Sequence, residues 1–522
     1  MTTGISSRSP VASAASQSLE LPRQAAIMAA IVAFAVLIRL PFLSFAGTDE
    51  AFYLVIGRQW LEGSPPYAGS FDVKPPLLFA LMAGAEALFG PNLLAAKVLT
   101  MTAVSAAACG LFLFGRRFIG ELTGIAAAFF YIIATLDLGG AYSPAELIMA
   151  PFTAFGMLIG LSAAFGRVRR ELPALLAAGC CFGAAACIKQ TAVFEAAALA
   201  AFLLSGGSVS AGLKRIGLFA AGFCIVPAAF ALYFLAIGHL DAMIADVAAT
   251  AVRRANAGYI SGTGVLMRLL AAMKVELPVV ALALLLWAER RPLRSHPAYP
   301  TLRFLAAWTG GSLLGVLAGK AMCFFYFFTV VQPLSLASGA FFQYVIGRLR
   351  RPSLKFAVRS AVMAAAVIFF AAPAADFVSH QEASLIAAEA AAAAMRDAGQ
   401  RNGDRILVAD RDVVVYLTSG ANPATSVFHP IQLLCDFPGA ASAMAKSLGQ
   451  HPAFVIAADP PLHLICEQPE TRALLETTLE RDYRLIGRFG KDGSDGQSGV
   501  FAVYGLKERQ AANAKARASQ AD

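Results

Sequence analysis

The sequence predicts a polytopic α-helical membrane protein of about eleven transmembrane helices, with a small extracytoplasmic α/β domain on its carboxyl-terminal side. Three observations carry that expectation. Of 522 residues, 58% are hydrophobic and only 14% charged, whereas soluble domains hold roughly 25% charged residues. Apolar windows long enough to cross a bilayer recur near 25–45, 92–114, 120–141, 146–165, 172–188, 191–206, 216–237, 268–288, 303–319, 326–346 and 356–374. Beyond Ala374 the chain turns polar, and short β-type runs alternate with helix-like segments.

Ala25 to Phe45 has the length of a full span rather than a signal-peptide core, so it reads as an uncleaved first helix. Gly47 to Pro91 reads as one long extracytoplasmic loop. Within it, Pro75 to Phe89 is apolar but only about 15 residues long, and it contains Glu86; that suits a helix lying in the interface. The basic clusters decide the matter. Arg116-Arg117, Arg167 with Arg169-Arg170, Lys214-Arg215, Arg290-Arg291 with Arg294, and Arg348 with Arg350-Arg351 all fall on the cytoplasmic side only if Pro75 to Phe89 does not span. An odd number of spans from a cytoplasmic start then places the polar region outside. It holds an Ala-rich helix (Ala383 to Ala398) and the strand-like runs RILVAD, AFVIAA, YRLIGRFG and GVFAVYG. The expected organisation is a transmembrane domain over 1–375, an extracytoplasmic α/β domain over 376–507 and a disordered tail over 508–522.

The net charge of +9 is spread in short clusters between apolar runs, which argues for topology signals and against a nucleic-acid partner. Eight cysteines show no CxxC or His-rich spacing, so no metal site is expected. Cys435 and Cys466 alone lie in the polar region and are the candidates for a disulfide; nothing in the sequence brings them together, and free thiols are the expectation.

The candidate chemistry clusters at the outer face. Asp49 and Glu50 follow the first span directly, where a carboxylate either starts the next helix, with Thr48 or Asp49 as its N-cap, or acts as a base on a bound hydroxyl. Lys74 in FDVKPPLLF stands at headgroup depth, either snorkelling or holding a phosphate. Glu146 after Pro144 is a candidate second acid, as is Glu50, or each is a helix-start residue. Lys189, Arg253 with Arg254, and Lys320 with Tyr326 complete the outer-face set. The Arg253-Arg254 pair breaks the positive-inside pattern, as an anion site would, although long loops tolerate such residues. No phosphate-cradling glycine fingerprint is present, so a soluble nucleotide is not the expected substrate.

The series DEAFYLVIGRQWLEG, YAGSFDVKPPLLFALMAGAEALFG, FGRRFIGELTGIAAAFFY, SPAELIMAPF and FFYFFTVVQP resembles the membrane-embedded GT-C glycosyltransferases. The likeness is to the branch with the lipid A aminoarabinose transferases and the bacterial relatives of protein O-mannosyltransferases, and it covers most of 25–340. The resemblance implies transfer of a sugar from a polyprenyl phosphate carrier to a lipid, glycan or protein acceptor on the outer face of a bacterial inner membrane. It also implies that Asp49 is the catalytic base and that Lys74, Lys189 and Arg253 bind the donor phosphate; Lys320 and Tyr326 stay candidate substrate contacts from their place on the outer face. Relatives often carry His-Tyr where this chain reads Tyr326-Phe327. No cofactor is firmly required, and a divalent metal is possible but not indicated. The alternative class is a transporter or lipid flippase, for which inverted repeats and broken helices in matching halves would speak; the sequence shows none.

Overall fold

The structure, a computed structural model, describes residues 10–205, 208–249, 262–318, 323–409, 413–428, 439–459, 469–490 and 500–511. Every expected span falls on a helix. In chain order these are α1 (Pro10–Leu37), then α2 (Thr48–Leu61) and α3 (Pro76–Phe89) in the first loop, followed by α4 (Leu93–Phe118), α5 (Glu121–Thr135) and α6 (Ala145–Ala164). Next come α7 (Glu171–Ala186), α8 (Ala192–Leu204), α9 (Val209–Ala236), α10 (Gly262–Val275), α11 (Leu277–Ala288), α12 (Tyr299–Ala318), α13 (Phe328–Tyr344) and α14 (Pro352–Asp397). Among the described residues seven helical segments are long and apolar enough to cross a bilayer alone, and α10 with α11, bent by 89° at Glu276, makes an eighth if counted as one span. The windows at α5, α7 and α8 form shorter helices of 15, 16 and 13 residues; α5 is prolonged by a π-helical turn, Leu136–Gly140. Pro75 to Phe89 does form the short helix expected of it, α3.

Small residues set how closely the helices approach. A Cβ on Gly179 would lie 2.0 Å from the Phe219 carbonyl oxygen and one on Gly183 2.2 Å from that of Phe223, so only glycine lets α9 lie against α7. A core of large aromatics, among them Phe114, Phe304 and Trp308, fills the bundle. The basic clusters gather at one end. There Arg117 and Arg167 donate to each other's carbonyl oxygens, and Arg23 pairs with Glu121, Arg215 with Glu171 and Arg348 with Glu289. Helices α2 and α3 lie at the opposite end.

Above them sits a five-stranded sheet. Strands β1 (Arg405–Val408), β2 (Asn422–Pro423), β3 (Phe454–Ala458), β4 (Tyr483–Phe489) and β5 (Phe501–Leu506) are ordered β2-β1-β3-β5-β4, with β1 parallel to β2 and β3 and the β5 pairings antiparallel. Four of the strands are the four runs named from the sequence, and two-residue β2 is the addition. The expected Ala-rich helix is the far end of α14, a single 46-residue helix that runs through the expected boundary at 375. No separating linker exists there. The sheet is joined to the first loop by a shared core: the Phe52 ring lies 4.7 Å from that of Phe428, and Phe71 and Val73 pack among Leu407, Met444 and Val455.

Candidate active site

The chain leaves α1 and turns into α2 at Gly47, which, rather than Thr48 or Asp49, is the N-cap. Glycine is required because a Cβ would sit 2.7 Å from the Tyr142 ring. The Glu50 side chain turns back to accept from the Gly47 N–H at 3.4 Å. The same carboxylate accepts from Lys97 Nζ at 2.9 Å and from Ser143 Oγ at 2.9 Å, and Lys97 also donates to the Ala141 carbonyl oxygen at 2.9 Å. Glu50 and Lys97 are buried. Glu50 therefore staples α2 to α4 and to the segment between α5 and α6, instead of facing a substrate as a second acid.

Asp49, one residue earlier on the helix, points elsewhere and is half-buried. The Tyr53 hydroxyl, one turn on, donates to Asp49 Oδ2 at 3.3 Å. Burial, reinforced by the charges of Asp49, Asp72 and Glu146, holds the Tyr53 phenol well above its ordinary pKa, so it stays a donor. Across the Tyr53 ring, 5.7 Å from its centroid, lies the ammonium of Lys74.

The loop bearing Lys74 is held on three sides. Tyr67, in the left-handed region at φ 67°, donates from its hydroxyl to the Lys74 carbonyl oxygen at 2.7 Å. The Lys74 N–H donates to Asp72 Oδ1 at 2.8 Å, and Gln190 Nε2 donates to the Val73 carbonyl oxygen at 2.7 Å. That last bond ties the loop to the turn carrying Lys189. Lys189 is buried in an ion pair with Glu146, and its ammonium stands 3.4 Å from the Tyr326 ring centroid. Burial pulls the Lys189 ammonium below its ordinary pKa; Glu146 opposes this and nearby Lys74 adds to it.

Asp49, Lys74, Glu146, Lys189 and Tyr326 thus converge around Tyr53, while Glu50 lies behind them. Arg253 and Lys320 fall outside the described residues, as do Cys435 and Cys466. Sequence reasoning missed Tyr53, Tyr67, Asp72, Lys97 and Cys323. Burial raises the Cys323 thiol pKa, with Asp49 and Glu146 adding to the shift and Lys189 and Arg268 opposing it, which marks Cys323 and Arg268 as further neighbours of the cluster. Lys97 carried a signal: a lysine inside the apolar window 92–114 requires a partner. Among the described residues no group of three His, Cys, Asp or Glu side chains is placed to hold a metal ion.

The fold is shared with solved membrane enzymes. ArnT from Cupriavidus metallidurans bound to undecaprenyl phosphate superposes with a TM-score of 0.64 at 14% identity, over 91% of this chain and 97% of that one. The archaeal oligosaccharyltransferase AglB from Archaeoglobus fulgidus, in complex with an inhibitory peptide and a dolichol-phosphate, matches with a TM-score of 0.50 at 13% identity, over 83% of this chain and 69% of that one. The chain thus shares the fold of these two proteins. Residues 73–234 match the family described as dolichyl-phosphate-mannose-protein mannosyltransferase. No curated protein matches the sequence.

Proposed function

We propose that this chain moves a sugar from a polyprenyl phosphate donor to a hydroxyl-bearing acceptor at the end of the bundle that carries Asp49, and that this end faces away from the cytoplasm. The observation that carries the reading is the placing of Asp49 at the Tyr53 hydroxyl and of Lys74 over the Tyr53 ring. Asp49 takes the proton from the acceptor hydroxyl as it attacks the anomeric carbon. Among the described residues Lys74 has no carboxylate partner, so its charge is available to the leaving phosphate, on which negative charge builds in the transition state. Lys189, already neutralised by Glu146, adds less. Arg253 is proposed on sequence grounds as a further phosphate ligand, and Lys320 and Tyr326 as substrate contacts; no metal or other cofactor enters the reading. An apolar groove of about 420 Å³ between α10, α11, α12 and α13, lined by Leu269, Val280, Leu305, Val331 and Leu334, reaches Phe327 beside the site. It suits the isoprenoid chain of a lipid donor.

The test is a transfer assay in nanodiscs with undecaprenyl phosphate sugars, normalised to folded protein. Asp49→Asn should lower turnover about 10²- to 10⁴-fold with donor binding retained. Lys74→Ala should weaken donor binding about ten-fold or more. Full turnover in Asp49→Asn would overturn the assignment of the base. For orientation, a reporter active only outside the cytoplasm should work when fused after Lys507 and fail after Arg117.

A further inference from the structure

The segment that ends at Lys74 has two faces. Phe71 and Val73 pack into the core of the sheet, and the Phe71 N–H donates to the Ser426 carbonyl oxygen at 2.7 Å. Ser70 and Asp72, alternating with these apolar residues along the segment, are buried, with 2% and 1% of their surfaces exposed. Asp72 uses one oxygen, Oδ1, to accept from the Lys74 N–H. Among the described residues, Asp72 Oδ2 and Ser70 Oγ have no hydrogen-bond partner. A carboxylate oxygen left so is expensive, and its persistence calls for an explanation. The charge of Asp72 bears on the hydroxyls of both Tyr53, which donates to Asp49, and Tyr67, which donates to the Lys74 carbonyl oxygen. Through Oδ1, which accepts from the Lys74 N–H, its carboxylate is fixed beside the lysine.

We propose that Asp72 and Ser70 form the subsite that reads the donor's sugar, accepting hydrogen bonds from a ring hydroxyl or amine while Lys74 holds the adjoining phosphate. This rests on the donor reading above and deepens it. The chemistry fits the order of the groups along the segment: the lysine meets the phosphate, and the acid two residues earlier meets the sugar attached to it. A sugar presents donors to satisfy Asp72 Oδ2, whereas a bare polyprenyl phosphate has none beyond its phosphate.

The experiment compares binding of undecaprenyl phosphate, undecaprenyl phosphate mannose and undecaprenyl phosphate aminoarabinose to the full chain in nanodiscs. Asp72→Asn keeps the Oδ1 acceptor for the Lys74 N–H and replaces only the orphan oxygen. It should weaken at least one sugar-bearing lipid about 10- to 100-fold and leave the bare lipid unchanged. Ser70→Ala should act in the same direction and less strongly. Lys74→Ala should weaken all three lipids alike. Mannose and aminoarabinose arms separate a hydroxyl from an amine as the group that is read. If Asp72→Asn weakens the bare lipid as much as the sugar forms, Asp72 serves only to hold Lys74 and the inference is overturned. A wild-type chain that holds all three lipids alike overturns it too, with the donor reading intact. Failure of the wild type to bind any of the lipids would remove the donor reading and this inference together.

Discussion

At the basic end of the bundle Arg348 meets Glu289 at 2.7 Å with 49% and 42% of the two side chains exposed, whereas at the other end Lys97 meets Glu50 at 2.9 Å with 5% and 0% exposed. The geometry of the two pairs is alike; their surroundings are not. In water an ion pair gains little, because the solvent screens it and two long side chains must be ordered. In the interior both charges have given up hydration, so each depends on the other. The exposed pairs repeat around one end, at Arg23 with Glu121 and Arg215 with Glu171, where lysines and arginines mark topology. The buried pairs, Lys97 with Glu50 and Lys189 with Glu146, flank Asp49 and Lys74 on the other. Buried charge here is architecture for the site.

The sharpest way to break this contrast is to remove one buried partner. Lys97→Ala leaves Glu50 charged in the interior and removes the donor to the Ala141 carbonyl oxygen, and should destabilise the protein by about 3–5 kcal/mol, read as a large drop in thermal midpoint in detergent. Glu50→Gln together with Lys97→Met removes both charges at similar volume and should recover most of that loss. A Lys97→Ala protein that melts like the wild type would mean that the pair is not buried in the folded state.

The two neighbours Asp49 and Glu50 also show how far the sequence could be read. Apolar length, the basic clusters and the short helix at Pro76–Phe89 were legible because each depends on local composition. Four of the strands were legible from β-type runs, but β2 is two residues long and carries no pattern of its own. At 375 hydrophobicity ends while the helix does not: α14 runs on, and Ala387, Ala388, Ala391 and Ala392 bury its far end against the core of the sheet. At the site, the residues alone left both acids of DE open, and the resemblance set Asp49 apart as the base. The packing separates them physically, since the 100° turn between successive helical residues aims Asp49 at Tyr53 and Glu50 at Lys97, 47 positions away. Asp72 and Tyr67 were invisible for the same reason, as their meaning lies in atoms left unpaired and in a left-handed backbone.

A third pair lies between the two extremes. Glu86 on α3 accepts from Arg58 of α2 at 3.4 Å, and burial pushes its carboxyl pKa up to about 7 in spite of the arginine. In the unfolded chain it titrates near 4.5. Between those values the unfolded state has released its proton and the folded state has not, so stability should fall as pH rises from about 4.5 to about 7 and level off above. Thermal midpoints taken from pH 5 to 8 should show that slope in the wild type and lose it in Glu86→Gln. A slope unchanged in the variant would assign the titration to another group.

The smallest effect is expected at the exposed end. Arg348→Ala removes the partner of Glu289, yet both side chains already share their charge with solvent, and Glu289 keeps its hydration when the arginine is gone. The loss should stay within about 1 kcal/mol and shrink further in high salt, which already screens the pair at its surface. Salt should have little influence on the Lys97→Ala loss, because counterions do not reach the buried carboxylate of Glu50. Measuring both variants at about 0.05 and 0.5 M salt therefore separates the two ends by a property independent of absolute stability. An Arg348→Ala penalty as large and as salt-insensitive as that of Lys97→Ala would show that the basic end, too, is built on desolvated charge.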